Sequence, residues 1–125
     1  MGNRVIIGLG SNIDAHLNLK RAVDLLQQNF RLLKRSSVLR TAPVGIINQP
    51  DFYNSAVLLE TDLERDELSI RLKEMEDILG RNRLRPKFGP REIDIDILVW
   101  NDEIVDDDYY HRDFLQQLVS EITAK

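Results

Sequence analysis

The 125-residue sequence contains no cysteine. Disulfides, thiolate metal sites and cysteine nucleophiles are thereby excluded, and the absence fits a reducing cytosol. Long apolar runs are missing as well. Nothing approaches the roughly 20 residues that a membrane helix requires, and the apolar run in MGNRVIIGLG is too short and poorly flanked for a signal peptide. Gly2 follows Met1 as N-myristoylation requires, but Ile6 stands where a hydroxyl is needed. Histidine is scarce, and neither His16 nor His111 has a spacing partner that suggests zinc. The segment Gly8-Leu9-Gly10-Ser11-Asn12-Ile13 lacks the third glycine of a dinucleotide fingerprint, and no P-loop occurs. It reads as a tight strand-to-helix turn. These absences lead to the expectation of one soluble cytoplasmic domain over residues 1–125, with no membrane partner.

What is present is ordinary globular material: 42% hydrophobic and 30% charged residues, enough for one core and too apolar for disorder. The net charge of −4 argues against a nucleic-acid partner. Its distribution says more. No acid lies between Asp77 and Glu92, yet Arg81, Arg83, Arg85, Lys87 and Arg91 all do, which leaves 12 cations against 21 acids elsewhere. A positive island on an acidic chain points to a small, highly charged anion. The alternative is a solvated basic loop.

Hydrophobic periodicity gives the element order. Arg4 to Leu9 is a β-branched apolar run expected as a buried strand. Ser11, Asn12 and Asp14 offer caps for a helix whose stripe is Leu19, Ala22, Val23, Leu26 and Phe30. Leu32–Leu39 and Phe52–Thr61 read as strands, separated by a long loop over Thr41–Asp51 that contains Pro43, Gly45 and Pro50. Leu68, Leu72, Met75 and Leu79 mark a helix over 65–79 that Gly80 should end. A second loop covers Arg81–Pro90, then a strand Glu92–Trp100 with Ile93, Ile95, Ile97 and Val99 on its core face. A polar connection, Asn101–His111, precedes a helix over Phe114–Ile122. The order β-α-β-β-α-β with a trailing helix predicts an α+β fold: a ferredoxin-like split βαβ sandwich with helices packed on an antiparallel sheet. Two long loops in so small a domain are uncommon and usually functional.

Asp94 and Asp96 are the sharpest feature. Two apart on a strand, they share one face with Cα atoms roughly 6.6 Å apart. Carboxylates so close repel unless a cation or a proton neutralises them. Mg²⁺ suits the need, taking one or two carboxylates and completing its octahedron with water and phosphate oxygens. Arg81, Arg83 and Arg91 supply guanidinium forks that bind phosphate bidentately. Together these are the electrostatic halves of a phosphoryl or pyrophosphoryl transfer site. The alternative is an exposed strand face with two solvated acids. Phe52 and Phe114 are core candidates by default, while Asn54 shares the Phe52 face and could read a heterocycle edge.

Taken together, several segments resemble the hydroxymethyl-dihydropterin pyrophosphokinase family. They are Gly10-Ser11-Asn12; Thr41-Ala42-Pro43-Val44-Gly45; Gln49-Pro50-Asp51-Phe52 with Asn54; Glu76 with Gly80-Arg81-Asn82-Arg83; and Phe88-Gly89-Pro90-Arg91-Glu92-Ile93-Asp94-Ile95-Asp96-Ile97-Leu98. They run in the family's order over roughly the first hundred residues, and the last piece is highly specific. The resemblance implies pyrophosphate transfer from ATP to a pterin alcohol, releasing AMP, in folate biosynthesis. Asp94 and Asp96 would hold two Mg²⁺ ions, and Arg81 and Arg91 would contact the phosphates and assist transfer. Glu76, Arg83, Phe88, Arg91 and Ile97 would serve the nucleotide. Thr41, Ala42, Pro43, Val44, Phe52, Asn54 and Phe114 would form the pterin pocket. Phe88 stands where the family usually has tryptophan.

The departures lie late in the chain. The family's Pro-His segment after the aspartate strand is replaced by Asp106-Asp107-Asp108-Tyr109-Tyr110-His111, before Arg112-Asp113-Phe114 restores the family's R-x-F. The resemblance is thus to a short member, expected as a monomer or weak oligomer that takes ATP and a pterin alcohol and no nucleic acid. The competing reading is a paralogue that binds pterin or a protein partner without transfer. A third, an RNA-binding module, is opposed by the two aspartates on the strand face after the basic loop.

Overall fold

A computed structural model describes residues 2–124. The chain runs β1 (Asn3–Ser11), α1 (Ala15–Asn29), β2 (Arg31–Arg35), β3 (Leu39–Thr41), β4 (Phe52–Thr61), α2 (Arg65–Ile78), β5 (Asp94–Trp100), β6 (Glu103–Ile104), a 3₁₀ turn (Asp107–Tyr110) and α3 (Asp113–Thr123). The strands form one antiparallel sheet in the order β2-β4-β1-β5-β6, with β3 also pairing β4. This is the expected ferredoxin-like α+β arrangement, with the first strand of the chain at the centre. No helix among the described residues is long and apolar enough to cross a membrane.

Period-2 alternation along β1 sends Val5, Ile7 and Leu9 to one face, where they meet α1 and α2 through Leu19, Leu26, Leu68, Leu72 and Met75. Both helices earn their place by their apolar stripes. A capping box between Glu64 and Glu67 starts α2. At its other end Gly80 adopts φ 92°, its N–H donating to Asp77 and that of Arg81 to Glu76. This is the Schellman pattern, and it fixes where the basic loop departs.

The opposite face is not left to solvent. Ile6, Ala56, Leu98 and Val99 form a second core under Leu115, Leu118, Val119 and Ile122 of α3. Val99 therefore faces away from Ile93 and Ile95, contrary to the simple alternation. The cause is a β-bulge: Ile6 pairs with Val99 but Ile7 pairs with Ile97, so Leu98 is the extra residue and the side chains beyond it change face. The far end of α3 is tied down by Lys34, whose Nζ donates to the Ile122 and Ala124 carbonyls, and by Ser37, which donates twice to Glu121.

Three boundaries differ from expectation for identifiable reasons. The strand read over Leu32–Leu39 is divided at Ser36, which still donates its N–H to the Ala56 carbonyl but accepts the Ala56 N–H through its side-chain hydroxyl in place of its own carbonyl. The aspartate strand begins at Asp94 rather than Glu92, whose carboxylate is turned toward Arg85. The acidic connection contains β6, because Asn101 and Asp102 both take positive φ (46° and 73°) and make a two-residue hairpin.

Candidate functional site

Gly8 and Gly10 lie in β1 itself, on the α3 side of the sheet, instead of in a strand-to-helix turn. Gly8 pairs with Asp96 on one side and Ala56 on the other; Gly10 pairs with Asp94 and Asn54. A Cβ on Gly10 would come within 3.0 Å of Asn54 Oδ1, and one on Gly8 within 3.0 Å of the Leu98 side chain. The two glycines thus clear the centre of the sheet, and a cavity of about 300 Å³ opens above them.

Two kinds of side chain line it: Thr41, Ala42, Val44, Phe52, Asn54 and Phe114 are apolar or neutral, whereas Lys87, Arg91, Asp94, Asp96, Asp106, Asp108 and Arg112 are charged, with Phe88 beside Lys87. Asn54, nearly buried at 8% exposure, donates through Nδ2 to Thr41 Oγ1 at 2.8 Å. That fixes its amide while its side-chain oxygen keeps acceptor capacity for a ligand. α3 covers Leu98 and Val99, and Phe114 and Leu115 at its start line the cavity together with Asp94 and Asp96.

Asp94 and Asp96 share a face, as their spacing predicts, but live in different surroundings. Asp94 is clamped: Arg91 Nη1 donates to its Oδ2 at 2.6 Å, and Arg81 Nη2 lies 3.2 Å from Oδ1. Asp96 is half-exposed and has one cation, Lys73 on α2, at 3.5 Å. Loss of part of its water shell, only partly offset by Lys73, and the nearby carboxylates of Asp94, Glu76 and Asp106 push Asp96 up to about 6. Charge repulsion between the pair therefore falls on Asp96, while Asp94 serves as counter-ion to two arginines.

The basic island is largely neutralised by its own acids. Arg83 pairs with Asp77 at 3.0 Å and Glu76 at 3.1 Å. Arg85 makes two bonds to Glu92, which also accepts the Asn82 N–H. Partial burial works against ionisation of Glu92, but these donors prevail and hold it below its usual range. Lys87 alone of the five cations forms no ion pair among the described residues, and it lines the cavity.

Other residues singled out from the sequence lie elsewhere. Glu76 is fully buried and outside the cavity: its Oε2 accepts the Ile95 N–H at 2.7 Å, between the two aspartates, and Arg83 and Lys73 approach the same carboxylate. Arg83 is taken up by that group and does not line the cavity. Arg81 touches the cavity only through Asp94, and its Nε is buried without a partner. Ile97 lines a separate depression of about 470 Å³ beside Asp96, together with Lys73, Val105 and Asp106. Pro43 sits between lining residues without lining the cavity itself.

Sequence reasoning missed the floor glycines and Lys73, as well as the use made of Asn12; Lys87 it read only as part of the basic island, and Arg112 only as part of the R-x-F segment. A Gly-x-Gly inside an apolar strand run is a legible sign of a cleared sheet face. Asn12 caps no helix. It is nearly buried, donates to Gln49 Oε1 and the Pro50 carbonyl, and accepts the Arg91 N–H at 2.8 Å. No sequence signal marks that role.

Among the described residues no three acids or histidines form a metal cage. The donor set nonetheless fits a hard divalent cation that brings its own phosphate ligands: two carboxylates on one face, one of them short of positive charge.

The 7,8-dihydro-6-hydroxymethylpterin-pyrophosphokinase (HPPK) family profile matches residues 6–124. The chain is 41% identical over 109 residues to the 2-amino-4-hydroxy-6-hydroxymethyldihydropteridine pyrophosphokinase of Bacillus subtilis, covering 85% of this chain and 65% of that protein. It is 37% identical over 102 residues to the Aquifex aeolicus protein of the same description, covering 81% of this chain and 63% of the relative. The Haemophilus influenzae counterpart is 33% identical over 129 residues, covering 94% of this chain and 80% of that protein. The chain thus spans a little under two thirds of the length of the first two.

Proposed function

The chain belongs to the 7,8-dihydro-6-hydroxymethylpterin-pyrophosphokinase family, and from that premise we propose that it transfers pyrophosphate from ATP to 6-hydroxymethyl-7,8-dihydropterin. The products are AMP and the pterin diphosphate, a step of folate biosynthesis. One observation carries the reading: a single cavity is lined both by aromatic and amide side chains (Phe52, Phe114, Asn54) and by carboxylates and an arginine (Asp94, Asp96, Arg91), together with Gly8 and Gly10.

Phe52 and Phe114 would hold the two faces of the pterin ring, and Asn54, its amide fixed by Thr41, would read an edge. Thr41, Ala42, Pro43 and Val44 would close that side. Asp94 and Asp96 would hold two Mg²⁺ ions, which when bound would neutralise and align the phosphate oxygens. Arg91 and Arg81, now spent on Asp94, would turn to the phosphates once cations take over that carboxylate. Lys87 and Phe88 would cover the nucleotide, and Ile97 and the depression beside Asp96 would take its base. Glu76 and Arg83 would act by holding Ile95 and the start of the basic loop. In the reaction the pterin hydroxymethyl oxygen bonds to the β-phosphorus, the bond from that phosphorus to the bridging oxygen breaks, and AMP leaves with that oxygen. The hydroxyl proton is released. Exclusion of water by the two loops would keep the transfer from becoming hydrolysis.

The test is incubation with ATP, Mg²⁺ and the hydroxymethyl pterin. AMP should form only when all three are present, and its absence at high enzyme would remove the proposal. A second reading, ligand binding without transfer, is favoured by a specific observation: Asp106 and Asp108 line the cavity near where phosphates would lie. Calorimetry with pterin and a non-hydrolysable ATP analogue separates the two. Binding-only predicts pterin affinity with little for the nucleotide.

A further inference from the structure

Gln49, the acceptor for Asn12, places its side chain at the junction of both long loops. Its Oε1 accepts from Asn12 Nδ2 at 2.8 Å, and its Nε2 donates to the carbonyls of Ile46 and Phe88, each at 2.7 Å. Among the described residues, the bond to Phe88 is the one hydrogen bond that runs directly between the segments 41–51 and 81–91. A second contact sits beside it. Gly45 takes φ 83°, and a Cβ there would lie 3.0 Å from the Phe88 Cβ, so Phe88 rests against a backbone with nothing on it. Phe88 itself has φ 65°, a conformation that bulky residues avoid unless the surroundings impose it. The bond from Gln49 to its carbonyl is one such imposition.

Both loops also share an anchor. Asn12, 6% exposed, binds Gln49 and the Pro50 carbonyl with Nδ2, and exchanges bonds with the Arg91 backbone through its Oδ1 and its own N–H. One loop carries Thr41, Ala42 and Val44 of the aromatic side; the other carries Lys87, Phe88 and Arg91 of the phosphate side. We infer that Gln49 is a positioning residue that makes the two loops one mechanical unit, so that filling the pterin side also orders the phosphate-binding loop. The inference rests on the pterin and nucleotide assignment above for its functional consequence, though not for the latch itself.

A coupling of this kind is measurable as the factor by which one ligand raises affinity for the other, and it must be the same in both directions. In the wild type, pterin should raise the affinity for a non-hydrolysable ATP analogue by about fivefold or more, at the lower end of common couplings. Gln49→Ala removes the latch. Gln49→Glu is the sharper variant, because it keeps the size and the acceptor for Asn12 but has no hydrogen to give to either carbonyl.

The experiment has two arms on the full chain. Hydrogen exchange without ligand should show faster exchange over residues 82–90 in both variants, including the Gly89 amide that now donates to the Pro86 carbonyl. Calorimetry should show the coupling factor falling below about twofold in both, with each variant still binding pterin alone. Wild-type exchange and coupling in Gln49→Glu would overturn the inference, since the side chain would then act by filling space. Faster exchange with the wild-type coupling retained would also overturn it. If the wild type binds neither ligand, the transferase reading fails, and the ligand-free exchange arm still decides whether the latch exists.

Discussion

The Arg91 guanidinium lies 2.6 Å from the Asp94 carboxylate, and Arg81 approaches the other oxygen of the same group at 3.2 Å. Without ligand, the two arginines that would bind phosphate are thus parked on one of the two residues that would bind metal. The three charged groups form a preassembled unit in which one carboxylate offsets part of the charge of two arginines. Binding of a metal–nucleotide complex would exchange these partners rather than create charge in the site.

This arrangement makes the two aspartates unequal in stability. Asp94→Asn leaves Arg81, 13% exposed, and Arg91 without their counter-ion. It should destabilise the protein by about 1–3 kcal/mol, the range for losing a charged hydrogen-bond partner. Asp96→Asn removes a crowded charge and should be neutral or stabilising above pH 6. Urea unfolding of both variants checks the order, and both should lose transfer activity.

The pH dependence follows from the same residue. Asp96 is raised to about 6 from an ordinary 3.8, so the folded state holds this proton more tightly than the unfolded one. Its contribution to stability is therefore full below about pH 4 and declines as pH rises toward 6. Carbon NMR of the side-chain carboxyl in metal-free protein should show a midpoint near 6. Saturating Mg²⁺ with nucleotide should lower that midpoint, because the cation favours the ionised form.

Glu76 is buried and accepts the Ile95 N–H, so Glu76→Ala should cost about 2–3 kcal/mol through an unsatisfied backbone donor. Glu76→Gln keeps an acceptor for that N–H and should lose less, although Lys73 and Arg83 lose their anion. Thermal unfolding separates the two. A larger loss from Gln than from Ala would contradict the placement of Ile95.

Gly10→Ala tests the floor of the cavity. The added methyl meets Asn54 Oδ1 at 3.0 Å and must displace the amide. Pterin affinity should fall about tenfold, equivalent to roughly one lost hydrogen bond. Nucleotide affinity and the unfolding midpoint should change little. Titration calorimetry with each ligand alone gives both numbers.

Much of this was legible from local pattern. The helical stripes, the Gly80 stop and the alternating aspartates each state a period or a backbone need within a few residues, whereas Gly8 and Gly10 read as a turn and lie inside β1. The place of Phe52 and Phe114 in the cavity lining was legible only through the family resemblance, because an aromatic residue reads first as core, whereas Asn54 could be read from the strand face it shares with Phe52. Long-range relations stayed hidden. The bulge at Leu98 arises from register against β1, so nothing within β5 announces that Val99 will join the α3 core. Glu76 shows no sign in sequence that its carboxylate serves a backbone N–H 19 residues away. Asn12 and Gln49 look like polar loop residues until the fold brings 12, 49 and 88 together.

The most direct test of the central claim is the fate of the ATP phosphates in a single turnover with label on both the β and γ positions. The account predicts that both labels leave together on the pterin and that one AMP appears for each pterin diphosphate. Formation of ADP with only the γ label transferred, or no nucleotide cleavage with enzyme in excess over ATP, would contradict it.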